Sequence, residues 1–479
     1  MVFSSAVFLF MFLPVVFLGN LLIRPMWGKN AFLIAASLLF YAFGEPVYVF
    51  LMILSAFMNY LFGIWLGHSK QGRLRRVILI LSVTVNLALL GTFKYAAFVA
   101  VNINRLLGLK MEVPSIALPI GISFFTFQAL SYVIDVYRDV GTMQKNFAKV
   151  LLYISFFPQL IAGPIVRWGE IERQLDSRRL DSSQIVYGIG RFVKGLFKKL
   201  IFANGLGVAA DSVFALHIQD YSMLVAWFGA ICYTLQIFYD FSGYSDMAIG
   251  LAAMFGFRFQ ENFTHPYSAD SIHGFWRRWH ISLSAWFREY VYIPLGGNRK
   301  GNGRTAANKL IVFLLTGIWH GANWTFVIWG MFHGVMNVLE DVVRNKFYTV
   351  PSSQKGRWSC IGNLYTWVIV ITAFVMFRAE SVVQGWNMIA AMFHNFSLDM
   401  ASKSFLLEQL SPYNVALLLG GLTFSYPLTV HLAGRIKPIA ERYPVLSEYI
   451  RYVVIFVLLF LCVCSLAGAA YNPFIYFRF

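Results

Sequence analysis

Apolar runs, each nearly free of charge and most of them long enough to bridge a bilayer, recur along the chain and restrict its possible folds more than any other feature. They fall at about residues 2–23, 31–67, 77–104, 116–134, 147–166, 185–215, 222–256, 308–339, 363–377, 411–433 and 450–471. A helix crosses the hydrocarbon core in about 20 residues, and a chain in lipid must satisfy its backbone hydrogen bonds internally. The pattern therefore predicts an all-α polytopic membrane protein of roughly eleven transmembrane helices, some long or broken, with re-entrant and interfacial helices among them. Composition agrees, since 58% of the 479 residues are hydrophobic and 13% charged, where a soluble domain carries about 25% charged residues. Low-complexity tracts, Ser/Gly linkers and internal repeats do not stand out, so residues 1–479 are expected to form a single integral-membrane domain.

Residues 1–23 carry no charge and no basic n-region, and they exceed the roughly 7–15 apolar residues of a signal h-region. They read as a first transmembrane helix and not as a cleaved leader. The formal charge of +17 is scattered over short loops, as the positive-inside bias predicts, which argues against a nucleic-acid partner. Anionic lipid head groups and a phosphorylated cytoplasmic substrate are the expected counterparts. Arg24, Lys29 and the cluster Lys70, Arg73, Arg75 and Arg76 belong on the cytoplasmic side. The apolar block between them must then cross twice, turning at Gly44-Glu45-Pro46, with the N-terminus outside. Arg435, Lys437, Arg442 and Arg451 mark another cytoplasmic loop, leaving the tail from Tyr471 to Phe479 on the outer face.

Two blocks depart from simple crossings. Residues 147–166 have basic groups on both sides and Pro158 and Gly163-Pro164 inside, which predicts a re-entrant or broken helix. The block around residues 308–339 is likewise flanked by Arg299, Lys300 and Arg304 and by Arg344 and Lys346. Its halves are expected to fold back on each other.

His320 sits in the second of these blocks, within Ile311–Leu339, which contains no Asp, Glu, Lys or Arg. An intramembrane imidazole is costly and marks a functional site by default. Titrating near neutrality, it suits the removal of a proton from a weakly acidic hydroxyl. Folding back of the block would bring His320 to the deep end of a cytoplasm-facing cavity. His280 lies in the long polar island Glu261–Asn308, where Trp276, Trp279, Trp286, Tyr290 and Tyr292 alternate with Arg277, Arg278, Arg288 and Glu289. Two readings fit this island: an amphipathic helix lying in the interface, or a cytoplasmic vestibule whose guanidinium groups meet phosphates. Backbone N–H groups of Gly296–Gly301 would add to the second.

Asp240 and Asp246 fall in an otherwise apolar block and require cationic or hydrogen-bonding partners. Bracing by Arg or Tyr is the expected role, with direct catalysis as the alternative. Cys232, Cys360, Cys462 and Cys464 lack metal-ligand spacing, and no metal site is expected. Neither a P-loop nor a Gly-x-Ser-x-Gly elbow is present. The remaining histidines, His68, His217, His265, His273, His333, His394 and His431, read as loop or packing residues.

Seven ordered blocks carry a family resemblance: MVFSSAVFLFMFLP from Met1, FKYAAF from Phe93, LPIGISFFTFQALSYVIDVYR from Leu118, FFPQLIAGPIVR from Phe156, YDFSGYSDMAIG from Tyr239, FWRRWHISLSAWFREYVYIPLGGNRKG from Phe275 and GIWHGANWTFVIWG from Gly317. Together they resemble the membrane-bound O-acyltransferase family and, within it, the bacterial alginate O-acetyltransferase subfamily. The resemblance implies a helical funnel whose two openings meet near a catalytic histidine, here His320, with His280 as the second signature histidine. It further implies a bacterial inner-membrane enzyme that takes an acyl group from a cytoplasmic thioester, such as acetyl-CoA, for export to an envelope polysaccharide. An extracytoplasmic SGNH-type transferase is the implied partner, and no cofactor is permanently bound. A thioester is already activated, so the enzyme has mainly to position the acceptor, remove its proton and stabilise the oxyanion. Arg277, Arg278, Arg299 and Lys300 are candidates for contacts with the phosphates of coenzyme A.

The tail, residues 472–479, ends in closely spaced aromatics. It fits a plain interfacial anchor, and it also resembles the tyrosine-containing C-terminal motif of this transferase class. On that reading Tyr476, whose phenol is far more acidic than a sugar hydroxyl, relays the acyl group. Two other functions compete. A secondary transporter also uses broken helices around polar groups at the midplane, but repeat symmetry is not visible and the basic, Trp-rich island at 275–304 has little place in one. A lipid-acylating relative would keep the chemistry and change the acceptor, and other acceptors within the subfamily's reach are cellulose, peptidoglycan and teichoic acid.

Overall fold

Helix is the only regular structure among the described residues of the computed structural model, which are 1–69, 71–347, 355–396, 399–468, 472 and 475. Six helices are long and apolar enough to cross a membrane: Tyr48–His68, Arg73–Leu107, Met223–Met254, Trp324–Val343, Ser359–Arg378 and Pro444–Gly468. The protein is an all-α, multi-pass membrane protein. Several runs expected to be single crossings form shorter or divided helices, for local reasons that differ from run to run. The chain sorts into two compact units, one of Met1–Phe192 with Tyr244–Glu261 and one of Val193–Gly243 with Asn262–Phe479.

In the first unit, a π-helical turn at Phe8–Phe12 leads into α1 (Leu13–Leu22), followed by α2 (Met26–Ala42), α3 (Tyr48–His68), α4 (Arg73–Leu107), α5 (Ile122–Tyr137), α6 (Phe147–Ser155), α7 (Phe157–Leu160) and α8 (Trp168–Asp176). The turn expected at Gly44–Pro46 does separate α2 from α3. The block 147–166 is broken: α6 stops at Ser155, Phe156 leaves the helical region (ψ 112°), and Pro158 occupies the first turn of the short α7. Rings of Phe3, Phe8, Phe12, Phe40 and Phe157 pack together with centroids 5.0–6.4 Å apart. Buried polar groups meet in pairs: Asn59 Nδ2 donates to Asn86 Oδ1 (3.0 Å) and Asn86 Nδ2 to Asn59 Oδ1 (2.8 Å), joining α3 to α4. Side-chain bonds of this kind between membrane helices contribute about 0.6 kcal/mol each.

The boundary between the units falls inside α9 (Ser182–Phe197) and, beyond α10 (Asn204–Phe214), inside α11 (Met223–Met254). The second unit continues with α12 (Ile272–Trp276), α13 (Ile281–Phe287), α14 (Asn302–His320), α15 (Trp324–Phe347), α16 (Lys355–Arg378), α17 (Val382–His394), α18 (Met400–Gln409), α19 (Pro412–Ser425), α20 (Leu428–Arg442) and α21 (Pro444–Gly468). Its core is dense in aromatic rings, with Tyr233, Phe238, Tyr267, Phe275, Trp279 and Phe374 all buried. A continuous amphipathic helix over residues 275–292 does not form. The backbone turns at His280 (φ 46°), and Trp276, Trp279 and Trp286 are buried in the protein.

α14 and α15 form the hairpin expected of the block 308–339. Gly321 is extended (φ −172°) and the chain reverses before Trp324. The helices touch backbone to backbone: a Cβ at Gly317 would overlap the Phe326 carbonyl, and one at Gly330 the Phe313 carbonyl. Such small-residue contacts let membrane helices approach where lipid gives no hydrophobic drive.

Candidate active site

His320 is the last residue of α14 and is 6% exposed. Its ring meets the indole of Trp329 on α15 at 5.1 Å and 90°, the ring of Phe377 on α16 at 5.1 Å and 80°, and Trp319 beside it at 4.9 Å. The negative end of the α14 dipole falls at this residue, which favours the imidazolium formed on taking up a proton.

His280 is 1% exposed and joins α12 to α13 in the left-handed backbone region. For a residue with a side chain that conformation costs about 1–3 kcal/mol and persists only where its surroundings impose it. Asn262 imposes it here. The Asn262 carbonyl accepts from Ile281 N (3.0 Å), and its Oδ1 accepts from Ser282 N (3.1 Å) and Ser282 Oγ (2.9 Å). The ring is held at 4.5 Å from Phe241 and 6.0 Å from Trp319. Neither ring nitrogen has a hydrogen-bond partner among the described residues. His280 and His320 thus pack on the same indole, that of Trp319.

A cavity of about 1120 Å³ is lined by Arg277, Ile281 and Arg288 of the segment around His280 and by Asn302, Thr305, Ala306 and Lys309 of α14, with neither His280 nor His320 in its wall. This exceeds the roughly 300–1,000 Å³ of ordinary small-molecule sites. A narrower extension of about 210 Å³ shares Lys309 and continues past Val312 and Phe313 to Thr316. The α14 residues 302, 305, 309, 312 and 316 recur at helical spacing, so one face of the helix forms a wall throughout. The next turn of that face is His320. Arg288 and Tyr292 enter the wall from a π-helical turn at Arg288–Tyr292, a local irregularity common at functional sites.

Of the basic residues expected to meet a donor's phosphates, Arg277 lines the cavity. Arg278 turns to Ser268, donating from Nη1 to Oγ at 2.6 Å, and Arg299 and Lys300 are exposed in the loop before α14 without lining it. Asp246 belongs to the first unit, where Arg191 Nε donates to it at 2.8 Å and pairs also with Glu261. Bracing by Arg is what the sequence suggested. Asp240 belongs to the second unit and is paired with Lys199 at 2.7 Å, with side chains 2% and 3% exposed. Tyr476 lies outside the described residues. Among the described residues no cluster of His, Cys, Asp or Glu is arranged to hold a metal ion.

Two histidines read from the sequence as loop or packing residues belong to these surroundings. His333 is fully buried in α15; its Nδ1 accepts from Trp276 Nε1 (3.3 Å), and its ring meets Trp329 at 5.2 Å. It stands between a cavity-lining tryptophan and the indole that packs on His320. His273 lines the cavity: its Nε2 accepts from Lys309 Nζ (2.8 Å), and its Nδ1–H faces Glu340 (3.0 Å). Glu340 also accepts from the N–H groups of Ile272 and His273 at the start of α12, and Asp341 pairs with Lys309. These side chains fix the Lys309 ammonium in the cavity wall. Only the i, i+1 acidic pair Glu340-Asp341, alone in an apolar helix, hinted at this from sequence.

Two buried imidazoles pack on one indole, and the helix that carries one of them also walls a cavity lined by Arg277, Arg288 and Lys309. Comparison with known proteins gives the class. The model of the membrane-bound O-acyltransferase family matches residues 143–383, which include His280 and His320. The chain is 37% identical to the probable alginate O-acetylase AlgI of Azotobacter vinelandii over 514 residues, with 100% of both chains covered. It is 38% identical to the probable alginate O-acetylase AlgI of Pseudomonas putida over 498 residues, again with 100% of both covered. The peptidoglycan O-acetyltransferase of Helicobacter pylori is 35% identical over 428 residues, covering 82% of this chain and 80% of its own. The chain belongs to the membrane-bound O-acyltransferase family, in its AlgI-like subfamily, and is a membrane-bound acyltransferase. That membership sets the transporter reading aside.

Proposed function

We propose that the protein moves an acetyl group from a cytoplasmic thioester to a hydroxyl, for O-acetylation of an extracytoplasmic polysaccharide such as alginate. The observation that carries this reading is the single face of α14 that runs from the basic cavity at Asn302 and Lys309 to Thr316, one turn short of His320. The donor's phosphates meet Arg277, Arg288 and Lys309, and its acyl arm follows α14 inward. His320 takes the proton of the acceptor hydroxyl as its oxygen attacks the thioester carbonyl carbon. A C–O bond forms, the C–S bond breaks, and the proton passes to the departing sulfur, which leaves as a thiol. His280, whose ring nitrogens are uncommitted, stabilises the oxyanion of the tetrahedral intermediate.

On this reading Tyr476 is the first acceptor, and a separate extracytoplasmic SGNH-type transferase consumes the phenyl ester. Both termini then lie outside the cytoplasmic membrane, as the basic loops suggest. Alginate is favoured as the final polymer by the names of the full-length relatives; the Helicobacter pylori enzyme gives peptidoglycan as the second candidate. Purified protein in liposomes, supplied in turn with labelled acetyl-CoA and with acyl carrier protein bearing a labelled acetyl thioester, and then digested for mass mapping, tests donor and relay together. Label on Tyr476 from acetyl-CoA is the expected result. Label from neither donor, on protein or on added polymer, overturns the proposal.

A further inference from the structure

On the function just proposed, the donor enters by two cavities that stop short of the reacting imidazole. Neither has His320 in its wall, and what stands between is a short series of rings. Trp276 lines both cavities. Its indole meets Trp329 at 5.8 Å, and Trp329 meets His320 at 5.1 Å. Trp329 is 2% exposed and is hemmed in by Phe377 and His333 as well, whereas Trp276 has open space on its cavity side. Of the two indoles, Trp276 is the one with room to turn.

One bond sets the direction of the Trp276 indole. Its Nε1–H donates to Nδ1 of His333 at 3.3 Å, with the two rings nearly perpendicular at 88°. An indole nitrogen only donates, so Nδ1 of His333 carries no hydrogen and the ring's proton is on Nε2. His333 is fully buried, and among the described residues its Nε2 has no partner. Plain packing among Phe275, Phe313 and Trp329, whose rings surround it, would be served by a leucine or phenylalanine without leaving a buried donor unmet. What histidine adds at this place is an acceptor for Trp276. The bond is a long one, and the arrangement keeps an unmet N–H, so an entering ligand displaces the indole at small cost.

We propose that Trp276 is a gate between the donor cavity and His320, and that His333 is the positioning residue that latches it. The gate rests on the role given to His320 above. Latched, the indole keeps the water of the open basic cavity away from His320 until a donor arrives; the acyl arm then turns the indole aside and takes its place, so it meets no water there. Dryness matters because a base that draws a proton from a hydroxyl draws one equally from water. In that side reaction the water oxygen bonds to the thioester carbonyl carbon, the C–S bond breaks and the proton passes to sulfur, giving acetate and a free thiol. The acetyl group is then lost to transfer.

The experiment compares His333→Leu, which removes the acceptor, His333→Asn, whose Oδ1 restores one, Trp276→Phe, which keeps a ring without the N–H, and the double variant His333→Leu/Trp276→Phe. Each protein in liposomes receives labelled acetyl-CoA or the labelled acetyl thioester of acyl carrier protein, whichever the wild type cleaves. Two products are counted: free thiol released, and acetyl recovered as ester on the protein or on added polymer. A latched gate predicts about one ester per thiol in the wild type, at least about fivefold more thiol than ester in His333→Leu and Trp276→Phe, and a ratio within about twofold of wild type in His333→Asn. The double variant matches either single change within about twofold, because both remove the same bond. A wild-type ratio in folded His333→Leu and Trp276→Phe, whatever their rates, makes the pair mere packing and overturns the gate while leaving the transferase reading intact. Where His333→Leu does not fold, Trp276→Phe against wild type decides. A wild type that cleaves neither thioester overturns the function proposed above, and the gate with it.

Discussion

The hairpin of residues 302–347 and the segment of residues 262–292 each deliver one buried imidazole to the same indole, by opposite means. His320 is placed by regular structure: a helix ends where a glycine-lined hairpin turns, and the residue needs no strain to be there. His280 is placed by irregular structure: its backbone sits at φ 46°, next to Ile281 and Ser282, which donate hydrogen bonds to Asn262 eighteen positions before His280. Regular structure carries an address along its own axis, which is how α14 also lines the two cavities between residues 302 and 316. Irregular structure costs free energy locally and is retained where it orients one group.

The comparison predicts different responses to substitution. The largest effect belongs to His320→Ala, which on the proposed mechanism removes the general base and lowers kcat for acetyl transfer about 10²–10⁴-fold, measured with labelled acetyl-CoA in proteoliposomes, while the protein stays inserted. His280→Gly separates strain from function. Glycine accepts the left-handed backbone and relieves its strain, but it also empties the buried site of a ring packed on Phe241 and Trp319, so thermal stability falls by about 1–3 kcal/mol, while on the proposed mechanism transfer falls about 10²-fold. A destabilised but active His280→Gly protein would show that the ring only packs. Lys309→Met takes a fixed ammonium out of the cavity wall; donor KM rises about tenfold with kcat little changed, the signature of lost ground-state binding. The smallest change in transfer is expected from Asp246→Asn, because Asp246 is bonded to Arg191 and lines neither cavity; breaking the buried pair costs stability, but steady-state transfer should stay within about threefold of wild type.

Legibility in the sequence followed the same divide. The uncharged span around His320, its basic flanks and the Pro158 break in residues 147–166 all act over a few residues, and each was readable. So was the need of Asp246 for an arginine. What depended on distant partners was not. Asn262 and His280 read as unrelated polar residues until their backbones meet. His333 and Trp329 look like any core aromatic pair at helical spacing. His273 finds Glu340 across 67 positions. The island at 275–304 has the composition of an interfacial helix, but its tryptophans are drawn into the core because the turn at His280 breaks the helical face. Of the crossings suggested by apolar length, six helices among the described residues are long enough; other runs are divided by proline, by π-helical turns or by the hairpin itself, features that hydrophobicity alone does not register.

The central claim is that the donor's acyl arm reaches His320 along the face of α14. Thr316 lines the smaller cavity, about 210 Å³, one turn before His320, and Thr316→Trp narrows it at that end, about two turns of α14 beyond Lys309. The direct measurement is acetyl transfer by that variant alongside equilibrium binding of coenzyme A. The account predicts binding unchanged within about twofold and transfer reduced by about 10²-fold or more, the scale of a misplaced reactant. Wild-type transfer through the narrowed cavity would contradict it.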